Sequence, residues 1–183
     1  MSCIKRLRAR ETRALVALQG VLADRPGVLP CARGMSHFGE HSLGWLGLSG
    51  ALVIADRRRR REWIAAGTAA FCAHAASVIL KRIVRRPRPD SPEIRIGVGT
   101  PSKLSFPSSH ATSTAAALVA ASEIAGTRIP LLGIPVMMVS RMVLGVHFPT
   151  DTAAGALLGA TTAKATLSLA RRLGWLPVVP GEI

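Results

Sequence analysis

Long stretches without charge constrain the fold of this chain more than any other feature of its sequence. Trp63–Leu80 is a run of eighteen residues with no formal charge at neutral pH when His74 is neutral. A run of that length and apolarity is typical of a helix that crosses a bilayer. The other apolar runs are Ser42–Ala55, Ala111–Ala125, Ile129–Val146 and Thr152–Ala170. The pattern predicts an all-α protein, a polytopic transmembrane helical bundle of about five spans.

Small residues are concentrated in the last of these runs. Ala153–Ala156 and Gly159–Ala160 contain only alanine and glycine. Side chains of this size let transmembrane helices approach each other closely. The sequence therefore predicts a tight helix contact along this segment.

The charge balance suggests two classes of protein, a membrane protein and a nucleic-acid-binding protein, and the apolar runs favour the first. The chain carries a formal net charge of +14, yet 49% of its residues are hydrophobic and its mean hydropathy is +0.32. A soluble nucleic-acid-binding protein would explain the charge but not the uncharged runs, whereas a membrane protein with basic edges explains both. Aromatic residues make up only 4% and tyrosine is absent, so a base-stacking surface is disfavoured. We expect a lipid bilayer, and no nucleic acid, as partner; the sequence leaves the oligomeric state open.

The first residues form a basic and then apolar pattern. Met1–Ala23 begins with five basic side chains and continues with leucines and valines. This predicts an amphipathic helix that lies in the membrane interface, and the alternative is a solvated basic tail. Asp24–Gly34, with two prolines and two glycines, is interpreted as a linker. We therefore divide the chain into an N-terminal segment with its linker, residues 1–41, and a transmembrane domain, residues 42–183.

Three polar stretches interrupt the apolar pattern: Lys81–Pro89, Phe106–His110 and Ser140–Asp151. If every apolar run crosses the membrane once, all three emerge on the same side, together with the segment before Ser42. The arginine run Arg57–Arg61 emerges on the other side. Ionisable groups at membrane depth are costly and usually functional, so these stretches are expected to form one site.

The residue types in these stretches fit phosphate chemistry. Lys81, Arg88 and Arg141 would give a dense cationic field. Ser108 or Ser109 precedes an apolar helix and is a candidate N-cap, which would aim free backbone N–H groups at an anion. A neutral histidine can attack phosphorus when a carboxylate orients it, as Asp151 would orient His147. The second histidine, His110, would protonate the leaving alkoxide as general acid.

A metal site is the main alternative for the histidine and aspartate pair. His147 and Asp151 are four positions apart, a spacing that suits two metal ligands on one helical turn. The nearby cations would repel a divalent ion, and no carboxylate cluster offsets them. We therefore predict no metal and no cofactor, and we interpret the intramembrane His74 as a packed residue.

Taken in order, the motifs resemble the three-part signature of the type 2 phosphatidic acid phosphatase superfamily, which includes vanadium haloperoxidases. The matching pattern is Lys81-x6-Arg88-Pro89, Pro107-Ser108-Ser109-His110 and Ser140-Arg141-x5-His147-x3-Asp151, within Trp63–Ala170. The resemblance implies that His147 forms a phosphohistidine, that Asp151 orients it and that His110 is the acid. The residues implied to hold phosphate are Lys81, Arg88, Ser108, Ser109 and Arg141. The family usually has glycine where Ser109 stands, so this side chain could crowd the phosphate-binding amide.

The resemblance also implies a substrate class and a location. Members of this kind act without metal on lipid phosphates that enter from the membrane, and their catalytic face lies outside the cytoplasm at the cell membrane. The shortened N-terminus is similar to that of bacterial phosphatases acting on a polyprenyl-linked sugar phosphate. His37, Glu40 and His41 are then candidates for headgroup binding, and helix capping is the alternative. Other substrates left open are polyprenyl diphosphate, phosphatidylglycerol phosphate and phosphatidate. A catalytically silent lipid-binding protein is the non-enzymatic alternative.

Overall fold

The computed structural model describes residues 3–177, and the regular secondary structure of this part of the chain is helical. The α-helices are α1 (Cys3–Leu22), α2 (Val28–Phe38), α3 (Leu43–Ala55), α4 (Arg60–Val84), α5 (Ser109–Ala125), α6 (Gly133–Val143) and α7 (Pro149–Arg172). Short 3-10 turns at Glu40–Ser42, Arg57–Arg59 and Ile129–Leu132 precede α3, α4 and α6. Within the described residues no strand forms, and the all-α prediction is confirmed. Met1, Ser2 and residues 178–183, parts of the two predicted segments, lie outside the described residues.

The centre of the bundle is made by α4, α5 and α7. Their facing surfaces bury small side chains, among them Ala69, Ala116 and Ala163, all with no exposed surface. A Cβ atom on Gly159 of α7 would collide with the backbone carbonyl of Thr112 on α5. The close approach predicted from the small residues of the last run is therefore present, because only a hydrogen atom fits at this position.

Only one described helix has the length and apolarity of a candidate membrane span. Among the described residues, Arg57–Val84 is the single helical stretch that is long and apolar enough to cross a membrane. It extends beyond the predicted Trp63–Leu80 at both ends and so carries Lys81 on its last turn. The predicted run Ile129–Val146 is shorter as a helix, because Pro130 starts a 3-10 turn and the chain turns at Gly145, whose φ is +70°. Five spans remain a prediction.

The N-terminal segment is more ordered than its composition indicates. The prediction that Asp24–Gly34 is a linker is wrong, since α2 begins at Val28. Pro30 falls in the first helical turn, where proline is tolerated, and the reversal is made by Gly27 at φ +81°. Ala32 of α2 then packs with Leu144 and Val146 beyond α6. The division of the chain at residues 41 and 42 stays a prediction.

The polar segments gather at the two ends of the bundle. A cavity at one end brings together the Glu40–Ser42 turn, the loop 85–108 and the turn 144–148. At the other end the arginine run Arg57–Arg61 lies beside residues 174–177. The convergence predicted by counting crossings is therefore present in the structure.

Candidate active site

The three polar stretches line one cavity of about 480 Å³. Most of the predicted site residues border it: His37, Glu40, His41, Lys81, Arg88, Ser109, His110, Arg141 and His147. The remaining two, Ser108 and Asp151, are fully buried. The structure thus brings the predicted residues together from α2, α4, α5, α6, α7 and the intervening loops.

His147 lies in the turn between α6 and α7 and is 2% exposed. Its Nε2 is 3.2 Å from Nη1 of Arg88. A guanidinium can only donate, so Nε2 accepts and the ring proton is on Nδ1. Burial, reinforced by the positive charges of Arg88 and Arg141, lowers the pKa of His147 well below its usual value of 6.5. The site therefore contains a neutral imidazole whose Nε2 lone pair faces a cation.

Asp151 is the third residue of α7 and stands behind His147. Its Oδ2 is 3.7 Å from Nδ1 of His147, longer than a hydrogen bond, and Nδ1 has no hydrogen-bond partner within residues 3–177. Oδ2 also accepts from the backbone N–H of Phe148 at 2.8 Å. A carboxylate here satisfies one of the N–H groups that a helix start leaves free. The carboxylate faces the ring nitrogen that carries the proton.

Arg88 is held in place by the backbone on both sides of the cavity. Its Nε donates to Ser102 O at 2.8 Å, and Nη1 donates to Val146 O at 2.6 Å. Burial lowers the pKa of the Arg88 guanidinium to about 10, so it stays charged at neutral pH. The charge is therefore fixed next to Nε2 of His147 before any ligand binds.

Lys81 lies at the end of α4 and is 8% exposed. Its Nζ lies within hydrogen-bonding distance of the carbonyl oxygens of Leu104, Ser105 and Pro107, at 3.3, 3.4 and 2.8 Å. An ammonium has three donors, and here all of them face the loop that precedes α5. Lys81 thus adds positive charge to the cavity wall and also fixes the loop that leads to Ser108.

The start of α5 has the predicted cap. Ser108 is the N-cap, and its Oγ accepts from the Ala111 N–H at 3.4 Å. The Ser109 hydroxyl oxygen lies 2.8 Å from Oγ of Ser77 on α4. The additional side chain at position 109 is therefore accommodated against α4, and Ser109 and His110, the first two residues of α5, line the cavity.

Ser36 of α2 contacts two predicted site residues at once. Its hydroxyl accepts from Arg141 Nη1 at 2.6 Å, and its carbonyl accepts from His110 Nε2 at 2.9 Å. Arg141 is only 1% exposed, and its Nε has no partner within the described residues. A buried guanidinium with an unfilled donor is costly unless an anion completes it. The arrangement fits a phosphate group in the cavity.

The candidates for headgroup binding lie at the cavity rim. His37 and Glu40 have exposed side-chain fractions of 76% and 48%, and His37 Nδ1 is 4.0 Å from Glu40 Oε2. The ring of His41 lies 6.2 Å from that of His74, which also lines the cavity. Ser42, the N-cap of α3, makes no side-chain capping bond. His37, Glu40 and His41 therefore border the cavity, and their contact with a headgroup stays a prediction.

Sequence reasoning missed two residues behind the site. Arg86 donates to Asp151 Oδ1 from Nη1 at 2.9 Å and pairs through Nη2 with Glu11 of α1. One signal was present in the sequence: Glu11 is the only acidic residue among residues 1–23. An acid in a basic helix is either solvated or paired. Only the fold shows that Glu11 is paired with Arg86, which lies 75 residues further along the chain.

No metal cluster is visible in the described part of the chain. Within residues 3–177, no three His, Cys, Asp or Glu side chains are placed to hold one ion. The absence of a metal from the reaction stays a prediction.

Comparison with known proteins supports a single family. A model of the PAP2 superfamily matches residues 45–175. The chain is 55% identical over 151 residues to decaprenylphosphoryl-5-phosphoribose phosphatase of Mycobacterium tuberculosis H37Rv, covering 82% of this chain and 85% of that protein. It is 56% identical over 145 residues to the protein of the same name from Mycolicibacterium smegmatis, covering 79% and 81%.

Two solved structures share the fold. The PAP2 type phosphatidylglycerolphosphate phosphatase of Bacillus subtilis superposes with a TM-score of 0.69 at 22% identity, covering 91% of this chain and 87% of that one. LpxE of Aquifex aeolicus superposes with a TM-score of 0.61 at 22% identity, covering 83% and 93%. At this identity the two structures support the architecture alone.

Proposed function

The chain belongs to the PAP2 superfamily, as its three motifs predicted, and from this premise we propose that it dephosphorylates decaprenylphosphoryl-5-phosphoribose through a phosphohistidine on His147. The family and the names of its relatives make it a phosphoric monoester hydrolase. Their names also support the polyprenyl phosphoribose substrate. One observation carries the mechanism: the Nε2 lone pair of a buried neutral His147 faces Arg88 in a cavity with an unfilled donor on Arg141.

The first step forms a bond between His147 Nε2 and phosphorus. The ester P–O bond breaks, and the leaving alkoxide takes a proton from the imidazolium form of His110, which becomes neutral; the Nε2–H of this ring is held by the Ser36 carbonyl. The positive charge that develops on the His147 ring is stabilised by Asp151 opposite Nδ1. The site thus divides the reaction into formation and breakdown of a covalent intermediate.

The second step is hydrolysis of the phosphohistidine. His110, now deprotonated, accepts a proton from the attacking water, the N–P bond breaks, and inorganic phosphate leaves. The electron pair returns to Nε2, which restores the neutral imidazole. Positive charge from Lys81, Arg88 and Arg141 stabilises the phosphoryl oxygens in both steps.

A neighbouring groove suits the hydrocarbon part of such a substrate. It has a volume of about 510 Å³ and is lined mainly by apolar side chains, including Met35, Phe38, Trp45 and Val136. Met35 adjoins Ser36, which lies at the catalytic cavity. We place the first part of the polyprenyl chain in this groove, with the phosphoribose between His37, Glu40 and His41.

The membrane arrangement is part of the proposal. Large apolar side chains are exposed on the outside of several helices, including Ile54 at 76%, Ile83 at 69% and Leu157 at 67%. Lipid contact would remove the cost of this exposure. We propose a multi-pass protein of the cell membrane whose catalytic cavity opens outside the cytoplasm, with Arg57–Arg61 inside in agreement with the positive-inside rule.

Phosphate release from purified protein in detergent with EDTA tests the function. The substrates to compare are a polyprenyl-phosphoryl-phosphoribose, polyprenyl diphosphate, phosphatidylglycerol phosphate and phosphatidate. We expect release from the first at the highest kcat/KM, unaffected by EDTA and abolished in His147→Ala. Glu40→Gln should raise KM for the phosphoribose lipid and leave phosphatidate unchanged. Wild-type protein that is folded but releases no phosphate would favour the catalytically silent, lipid-binding alternative.

A further inference from the structure

Glu11 is a buried acid on an otherwise basic helix. It is 5% exposed and lies on the same face of α1 as Leu15 and Gln19, which are also buried. A carboxylate at such a position is destabilising unless it is paired and hydrogen-bonded. Its partners therefore explain why an acid occupies this position.

Those partners are Thr150, at the start of α7, and Arg86, in the loop after α4. Glu11 Oε1 accepts from the backbone N–H of Thr150 at 3.1 Å and from the Thr150 hydroxyl at 2.6 Å. Glu11 Oε2 pairs with Arg86 Nη2, and Arg86 Nη1 donates to Asp151 Oδ1 at 2.9 Å. Arg86 thus lies between two carboxylates, one from α1 and one from α7.

Arg86 is also packed against an aromatic ring. Its guanidinium carbon lies 4.3 Å from the centroid of the Phe148 ring, which is 1% exposed. The ring supports one face of the guanidinium, and the two carboxylates hold its edges. One planar guanidinium therefore connects Glu11 to Asp151.

We propose that Glu11 is a positioning residue for the hydrolysis: through Arg86 it fixes the orientation and effective charge of the Asp151 carboxylate that stabilises the His147 ring. This inference rests on the proposed function, because it presupposes the roles of His147 and Asp151. Without Glu11, the full charge of Arg86 would act on Asp151 and weaken its stabilisation of a positive imidazole. Arg86 would also be held less firmly, so the orientation of the Asp151 carboxylate towards Nδ1 of His147 would be less fixed.

The family signature does not contain this residue. The PAP2 match covers residues 45–175, and Glu11 lies outside it, on a helix that precedes it by more than twenty residues. The N-terminal helix of this chain thereby becomes part of the catalytic unit, in addition to any contact it makes with lipid.

Gln19 offers a matched control for the structural role of α1. It lies two helical turns after Glu11, is 2% exposed, and donates to Arg95 O at 2.7 Å and Val143 O at 2.8 Å. Its replacement removes buried docking bonds of α1 without touching Arg86 or Asp151. A purely structural role predicts similar losses of activity for changes at the two positions.

The test is a double-mutant cycle on the full chain in detergent. Single-turnover release of phosphate and KM are measured for wild type, Glu11→Gln, Asp151→Asn, the double variant and Gln19→Ala, and melting temperatures are recorded for each. We expect Glu11→Gln to lower the rate at least about 10-fold with KM within about 3-fold, by analogy with the effect of removing outer-shell partners of metal ligands. In the Asp151→Asn background the same change should cost less than about 2-fold, because the two positions are coupled. Gln19→Ala should keep the rate within about 3-fold despite a lower melting temperature.

Several outcomes would overturn the proposal. Equal losses of rate from Glu11→Gln in both backgrounds would show that Glu11 does not act through Asp151. A loss of rate in Gln19→Ala as large as that in Glu11→Gln would show that Glu11 acts only by docking α1 on the bundle. If Glu11→Gln does not fold, the cycle is repeated with Arg86→Gln in wild type and in Asp151→Asn. The loss of rate should again be smaller in the Asp151→Asn background. Wild type without release dependent on His147 would overturn the proposed function and this inference together, whereas an active wild type with additive losses would overturn this inference alone.

Discussion

The protonation of His147 is decided by its surroundings. The ring is buried beside Arg88, and its pKa is therefore depressed before a substrate arrives. Binding of a phosphate brings negative charge that offsets the cations. Only then does a positive ring, as in the phosphohistidine, become electrostatically acceptable at this position.

This burial predicts a pH dependence of stability. The folded pKa of His147 lies below its unfolded value, so as the pH falls below about 6.5 the unfolded state takes up a proton that the folded state does not. The free energy of unfolding should fall by up to about 1.4 kcal/mol per pH unit until the folded pKa is reached. Melting in detergent between neutral pH and about pH 5 should show a steeper loss for wild type than for His147→Gln. Parallel curves for the two proteins would contradict the depressed pKa.

His110 gives a second prediction at the level of single side chains. Its Nε2–H donates to the Ser36 carbonyl, 2.9 Å away, at the cavity wall. His110→Ala should lower kcat at least about 100-fold for a lipid phosphate, whose alkoxide must be protonated as it leaves. An aryl phosphate with a good leaving group should lose much less, and His147→Ala, as control, should abolish both activities. An equal loss on the two substrates would argue against a general acid.

Among the helices, α2 contributes more to the site than its sequence indicates. Ser36 holds the side chain of Arg141 and the ring of His110, and a Cβ atom on Gly39 would come within 2.7 Å of that ring. The sequence at the start of α2 contains proline and glycine, which usually mark loops. The helix forms nevertheless, because the packing of its apolar face against α6 outweighs the weak helix propensity of these residues.

The contact between α5 and α7 predicts the effect of one added methyl group. Gly159→Ala would place its Cβ against the Thr112 carbonyl, so helix α7 must move away from α5. We expect a loss of about 1–3 kcal/mol or more, measured as a lower melting temperature in detergent. Activity should fall as well, since α7 carries Asp151.

Gly50→Ala is the matched control for that substitution. Gly50 lies in α3 with nothing within 4 Å of an added Cβ. Alanine there should be neutral or stabilising by about 0.5–1 kcal/mol, because it favours the helical backbone. Equal destabilisation by both variants would mean that the close approach of α5 and α7 does not limit stability.

The bundle carries two groups of positive charges, one at each end. The cations of the catalytic cavity face one end, and Arg57–Arg61 lies with residues 174–177 at the other. The first set binds a substrate anion in the proposed reaction, whereas the second set has the composition of a loop retained in the cytoplasm. Orientation in the membrane follows if the positive-inside rule acts on the second set.

Cysteine labelling in intact cells tests this orientation. The native cysteines are replaced by serine, and a single cysteine is placed by Glu93→Cys, on the exposed part of the loop 85–108, or by Arg58→Cys, in the arginine run. A membrane-impermeant maleimide should label the first variant from outside and the second only after the membrane is opened. Labelling of Arg58→Cys in intact cells would reverse the proposed orientation.

Local patterns in the sequence were enough to predict much of this protein. Uncharged runs of helical length, the order of the three motifs and the Ser108 cap depend on residues close together in the chain. Counting the runs then gave the convergence of Lys81, His110 and His147, because each crossing reverses the side of the chain. The family followed from the same motifs and is confirmed by the match over residues 45–175.

Only the tertiary structure decided which side chains support that site. Glu11 and Arg86 are 75 residues apart in the chain, and Ser36 and Arg141 are 105 apart. No local pattern specifies such pairs, since each depends on how α1 and α2 dock on the bundle and not on the residues next to them. The tautomer of His147 also depends on the tertiary structure, because the loop 85–108 brings the Arg88 guanidinium to 3.2 Å from Nε2. The sequence thus determined the chemistry available to this protein, and the packing of its helices decided how that chemistry is oriented and charged.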